Sequence, residues 1–303
     1  MNYNPLVSVI CLCYNHEKFV QEGLESIVNQ THKNIEIIIV DDCSTDNSVA
    51  EIEKWLVNYP NVIFIANRVN QGNTKSFNNA FKRSTGSYII DFATDDLLHP
   101  DCVATQLEQF KNSTYPNLGI VYGNAEMIFE DNTHFRYFFE VDQNKKRIQS
   151  QPTGDIYLGL LRLDNNVCSV SAMAKREVYE KLNGYNENLH YEDYDFWIRA
   201  ARSYNFDYID QILLQKRELK NSLSTYRFRR LNSKTRKYNR STYTIVIHAL
   251  KMNTTTEENK AILNMIHHEM EIALRTIDPI LLLKYIVLAA KVVALIVLKK
   301  KYR

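Results

Sequence analysis

Three pairs of adjacent acidic residues carry the chemistry this chain could do: Asp41-Asp42, Asp95-Asp96 and Glu192-Asp193. Neighbouring carboxylates repel each other, so a pair is tolerated best where something cationic sits beside it. The first pair follows an apolar run, IEIIIV at 35–40, and the second follows YIIDFAT at 88–94. Two carboxylates on a turn after a strand suit a hard divalent cation, Mg2+ or Mn2+, which takes oxygen ligands and completes its shell with substrate phosphates. The third pair opens the helix-like stretch HYEDYDFWIRA at 190–200. There the helix dipole keeps a carboxylate ionised, ready to take a proton from a hydroxyl.

Each pair also has a plainer explanation. Strand-end aspartates are often solvated loop acids or helix caps, and Glu192-Asp193 is ordinary helix-start chemistry. Asp195 with Arg199 reads as an i,i+4 structural pair. What weakens the plain reading is that two Asp-Asp pairs end two strands of what must be one sheet.

That sheet is implied by alternation in the first hundred residues. Strand-like runs fall at 6–12, 35–40, 62–66 and 88–92, and helical spacing fills 17–29, the stretch after Ser44 or Thr45 as cap, and 74–83. Such βαβ units predict a mostly parallel α/β sheet flanked by helices, and ligands bind outside the carboxyl ends of its strands. The first strand ends at Cys13-Tyr14-Asn15, so an aromatic ring joins the four aspartates at one edge. After residue 118 the pattern turns mixed, with strands of both directions expected. Residues 142–154 are polar and loop-like, fit for a mobile or substrate-facing segment. Short helices follow at 175–182, stopped by Asn183-Gly184, and at 192–203.

Composition excludes several classes. The 303 residues are 45% hydrophobic and 24% charged, which is globular rather than disordered. Neither GxxxxGK[ST] nor GxGxxG occurs and only 8 glycines are present, which disfavours a P-loop NTPase or a dinucleotide oxidoreductase. Cys11, Cys13, Cys43, Cys102 and Cys168 have no zinc spacing and read as reduced core thiols of a cytosolic protein. The N-terminus lacks a basic segment followed by an apolar one, so the chain is expected to stay in the cytoplasm. Residues 216–303 hold 19 Lys and Arg against 6 Asp and Glu, whereas residues 1–215 hold 18 against 29. A basic tail on an acidic body points to an anionic partner, a membrane surface or a nucleic acid.

Taken together, three stretches resemble the family 2 glycosyltransferases, which have the GT-A fold. They are PLVSVICLCYNHEKFVQEGLESIVNQTHKNIEIIIVDDCSTDNS (5–48), NQGNTKSFNNAFKRSTGSYIIDFATDDLLHP (70–100) and LNGYNENLHYEDYDFWIRA (182–200). The resemblance covers about the first 220 residues, so it implies a GT-A domain at 1–220 and a basic helical extension at 221–303. It further implies a nucleotide-diphosphate sugar donor bound at the strand ends, UDP-linked. Tyr14, beside Asn15, would stack on the base, and Asp42, with Asp41, would hold base and ribose. Asp95, next to Asp96, would meet the Mn2+ or Mg2+ and the diphosphate. Asp193 would be the base that deprotonates a glycan or lipid-linked acceptor for inverting attack, with Glu192 orienting it. Two departures stand out: Ala93 replaces the first carboxylate of a common Asp-x-Asp-Asp, and Phe77 stands where Arg is common. The metal role then leans on Asp95, and Lys75 or Arg217 is left to serve the phosphates.

Two other classes remain alongside: a sugar nucleotidyltransferase, disfavoured because CYNHEKF stands where a Gly-rich basic loop belongs, and a non-catalytic nucleotide or glycan binder, disfavoured by the intact Glu192-Asp193. In the tail, STYRFRRLNSKTRKYNR (224–240) has no RNA-recognition motif, so no nucleic acid is expected. Residues 280–298 are 19 residues long and nearly all apolar, with Lys284 and Lys291 on one helical face. They are expected to lie in an anionic membrane surface on its cytoplasmic face, to pack within the protein or a homo-oligomer, or, least of all, to span.

Overall fold

A computed structural model describes residues 3–164, 166–219 and 227–301. They separate into two units that interleave along the chain, the first of Met1–Gly154, Val167–Tyr185 and Tyr204–Leu219. The second gathers Asp155–Asn166, Asn186–Ser203 and Lys220–Arg303, so two short segments from before residue 220 group with the basic extension.

The first unit begins with the alternation read above: β1 (Val7–Cys13), α1 (Val20–Val28), β2 (Ile35–Asp41), α2 (Ser48–Leu56), β3 (Ile63–Ala66), α3 (Asn73–Phe81) and β4 (Tyr88–Ala93). It continues with β5 (Leu97–Leu98), α4 (Cys102–Asn112), β6 (Leu118–Ile128), β7 (His134–Tyr137), β8 (Met173–Lys175), α6 (Arg176–Leu182) and β9 (Asn205–Arg217). The nine strands form one sheet in the order β3-β2-β1-β4-β8-β6-β9-β5, with β7 added on β6. The β3-β2-β1-β4 half is parallel, and β8 joins β4 and β6 antiparallel to both. β1 runs between β2 and β4 and is buried on both faces, which is why it reads VSVICLC without a polar face. Register aligns the functional ends: Cys13 pairs with Asp41, and Leu12 with Ala93.

Local chemistry explains where elements stop. α6 ends on Asn183 (φ 56°) and Gly184 (φ 71°), the left-handed stop expected from Asn-Gly. α2 starts later than a Ser44 or Thr45 cap predicts. Ser44 instead donates its N–H and hydroxyl to Asp41, and Asp46 takes the N–H and hydroxyl of Ser48. α1 lies close against the turn after β4, because a Cβ on Gly23 would stand 2.5 Å from the Thr94 carbonyl oxygen. Residues 142–154 are irregular and mostly exposed, yet tied to β9 by bonds from Arg147 N–H to Asp210 and between Gly154 and Phe206.

The second unit is helical: α5 (Tyr157–Arg162), α7 (Asp193–Ala201), α8 (Ser233–Met252), α9 (Thr256–Arg275) and α10 (Pro279–Lys301). Asn232 caps α8, and Thr255 with Glu258 forms a full capping box on α9. α10 packs on α9 through Leu281, Tyr285, Leu288 and Val292, one face at 3–4-residue spacing.

Candidate active site

At the end of β1 the chain turns through Asn15, held at φ 60°, a conformation Asn tolerates because its short side chain bonds locally. Its N–H donates to Ser44 Oγ at 2.9 Å and its Oδ1 accepts from Thr45 N–H at 2.8 Å, lacing the β1 and β2 loops together. Tyr14 stays 44% exposed on this edge, a free aromatic surface.

Asp41 and Asp42 are both buried, and their roles in the loop differ. Asp41 holds Ser44. Asp42 accepts from the N–H groups of Gln71 and Gly72 at 2.8 Å, from Asn67 Nδ2 at 2.9 Å and from Ser76 Oγ at 3.0 Å. It therefore sits at the N-terminus of α3 and fixes the loop before it. On α3, Lys75 is exposed, and Phe77 turns away into a cluster with Phe81, Tyr179 and Tyr185. The aromatic at the position where Arg is common is thus a core residue.

The turn after β4 brings the second pair to the same edge. Thr94 N–H donates to Leu12 O, and its hydroxyl lies 2.9 Å from His16 Nδ1. The same ring nitrogen is 3.6 Å from Asp95 Oδ1. Asp96 is 3% exposed, and its Oδ1 accepts the Arg217 N–H at 2.9 Å. Burial, then the neighbouring charge of Asp95, push the Asp96 carboxyl well above its ordinary range, against the pull of Lys216 and Arg217.

Arg217 is buried, and its guanidinium is spent within the protein. Nε donates to Asp95 O at 2.9 Å, and one terminal nitrogen donates to the carbonyls of Phe129 and Glu130 and to Asn132 Oδ1. The other terminal nitrogen meets Glu22 at 3.1 Å, and the group lies 4.4 Å over the Phe19 ring. Arg217 thus clamps the Asp95-Asp96 turn to α1 and to the β6–β7 hairpin. His16 and Glu22 were not singled out from sequence; nothing in their local pattern separates them from surface residues.

The structure brings Tyr14, Asn15, Asp41, Asp42, Asp95, Asp96 and Arg217 together at one end of the sheet in the first unit. Glu192 and Asp193 lie in the second unit, at the start of α7, where Asp193 Oδ1 accepts the Tyr194 N–H at 2.7 Å. Asp195 forms the expected pair with Arg199 at 2.6 Å, with His248 3.6 Å away. Among the described residues, no group of three or more His, Cys, Asp and Glu could hold a metal ion by itself.

The profile of Glycosyl transferase family 2 matches residues 8–182. The chain belongs to this family. It is a glycosyltransferase with the GT-A α/β fold and C-terminal helices, as its sequence motifs imply. It is 31% identical over 216 residues to an uncharacterized glycosyltransferase of Methanocaldococcus jannaschii, covering 70% of this chain and 71% of that one. The fold is similar to S. aureus TarS 1–349 in complex with UDP, with TM-score 0.63 and 17% identity over 86% of this chain and 71% of that one. It is also similar to a Pyrobaculum calidifontis mannosyltransferase in complex with GDP-Man and Mn2+, with TM-score 0.59 and 19% identity over 97% and 75%. The chain spans 34% of the length of two Rickettsia relatives.

Proposed function

We propose that this family 2 glycosyltransferase moves a sugar from a UDP-linked donor to a hydroxyl of a glycan or lipid-linked acceptor, with inversion, in surface polysaccharide synthesis on the cytoplasmic side. The observation that carries this reading is the convergence of Tyr14, Asp41, Asp42, Asp95 and Asp96 at the carboxyl ends of β1, β2 and β4, fixed by strand register. The exposed Tyr14 ring stacks on the base, beside Asn15. Asp42, with Asp41, shapes the nucleoside end of the site, and Lys75 faces the diphosphate from α3.

The residues at the β4 turn fit a divalent cation, Mn2+ or Mg2+. Asp95 and Asp96 are adjacent acids whose mutual repulsion is only partly offset. One or two carboxylates, with no group of three or more His, Cys, Asp and Glu able to hold an ion among the described residues, is the donor set of a cation shared with phosphate oxygens and water. Asp95 would hold it, with Asp96 behind, and when bound the cation neutralises charge on the diphosphate leaving group. Arg217 serves the phosphates through this turn, by keeping Asp95 and Asp96 in place.

Asp193 is the general base in this reading. It removes the acceptor proton as the hydroxyl oxygen attacks the anomeric carbon, while Glu192 orients the acceptor. Asp193→Asn keeps the shape and removes the basicity. Turnover with a sugar nucleotide and acceptor should fall by about 10^2–10^4-fold while UDP binding survives. Near-normal turnover of the variant would exclude Asp193 as base.

A further inference from the structure

α10 is long and apolar enough, by length and composition, to cross a membrane, yet among the described residues only one of its faces is buried. Leu281, Tyr285, Leu288 and Val292 are buried against α9, with the Tyr285 ring edge-on to Tyr243 of α8. Opposite them Ile280, Leu283, Ile286, Val287, Val293 and Val297 face outward, with Ile280 and Leu283 63% and 62% exposed. At 100° per residue these six cover a continuous arc of about 140°. Lys284 and Lys291 lie together along one margin of that arc, and Lys284 leans over the Tyr243 ring at 5.6 Å. Between Pro279 and Lys301 the helix holds five lysines and no acidic residue.

We propose that α10 rests lengthwise on an anionic lipid bilayer, its outward arc sunk to the depth of the acyl-chain boundary and its lysines at the headgroups. A contiguous aliphatic face of this width on water marks an interaction surface. The charge pattern selects the partner. A second copy of the chain would present the same cationic helix and bring lysines against lysines, whereas anionic phosphates complement them. A span is disfavoured by the two mid-helix lysines and by the buried face, whose Leu281, Tyr285, Leu288 and Val292 would have to leave α9. The placement keeps the protein at a bilayer surface and is independent of the proposed reaction, since vesicle binding needs neither donor nor acceptor.

The test is co-sedimentation of the full chain with vesicles of phosphatidylglycerol and phosphatidylcholine. The protein should pellet with these, stay in solution with phosphatidylcholine alone, and be released by high salt. Lys284→Gln with Lys291→Gln should weaken binding roughly fivefold per charge, so about 25-fold together. Leu283→Glu with Val287→Glu places acids on exposed positions, and should abolish vesicle binding while UDP binding, read as a folding control, is unchanged. The inference is overturned if the full chain stays in solution with anionic vesicles, or if the double Glu variant binds them equally well. A dimer in sedimentation velocity that the double Glu variant dissolves, without vesicle binding, would assign the face to self-association instead. Resistance to alkaline carbonate extraction from cell membranes would show a span and equally overturn it.

Discussion

Replacing Arg217 with Met keeps an unbranched apolar side chain in the site, and removes every side-chain donor of the clamp together with the guanidinium over Phe19. The carbonyls of Asp95, Phe129 and Glu130 and the amide oxygen of Asn132 lose their partner, and Glu22 loses its ion-pair partner. Each buried acceptor left unpaired costs roughly 1–3 kcal/mol, and removing one member of a buried ionic network about 3–5 kcal/mol. Glu22 is 48% exposed and rehydrates, so its share is discounted. The two longest contacts, at 3.4 Å, are weak. The expected loss is therefore about 3–5 kcal/mol, a large part of the roughly 5–15 kcal/mol that holds a domain folded. Arg217→Lys retains the charge, but one ammonium cannot reach three segments at once, so it should lose about 1–3 kcal/mol. Urea unfolding, followed by the fluorescence of Trp55 in the same unit, measures both. A loss under about 1 kcal/mol for Arg217→Met would refute the clamp, since that is the range of an exposed arginine pair.

Two other perturbations probe the first unit. Glu36 is pushed up by burial, but bonds from Ser8, Thr85 and Gly86 outweigh this and hold its carboxyl below the ordinary range. A depressed acid contributes stability above its unfolded pKa that is lost as pH falls through the folded one. Glu36→Gln should thus be less stable than wild type at neutral pH, and the gap should close in melting curves below about pH 4; a gap that persists in acid would contradict this. The thiols offer a simpler reading: burial pushes Cys13, Cys102 and Cys168 up to about 12 and Cys11 well above its usual range. Only half-buried Cys43 should react with iodoacetamide in the native protein, one label by mass spectrometry, and rapid labelling of Cys13 would show the β1 end to be open.

Much of the site was legible because strand ends announce themselves. The apolar runs before Asp41 and before Asp95 end where β2 and β4 end, and register alone then sets the acids beside Tyr14. The Asn183-Gly184 stop was equally local, since both residues supply the positive φ that ends α6. What could not be read depends on distant partners. Arg217 is buried because acceptors from residues 22, 95, 129, 130 and 132 converge around it, and no window of sequence contains them together. The same holds for β8, three residues inserted between β4 and β6, and for Phe77, whose inward turn is set by Tyr179 and Tyr185. The late start of α2 was a contest between two side-chain bonding schemes, and Ser44 was drawn to Asp41 rather than to the helix.

The central claim is that Asp95 forms a cation-dependent diphosphate site. Calorimetric titration of UDP into the full chain, with and without Mn2+, tests it most directly. Binding should strengthen by at least about tenfold with Mn2+ in the wild type. Asp95→Asn, which keeps the side-chain size and loses the charge, should bind UDP equally weakly with and without the ion. A variant that still shows the full Mn2+ enhancement would contradict the account.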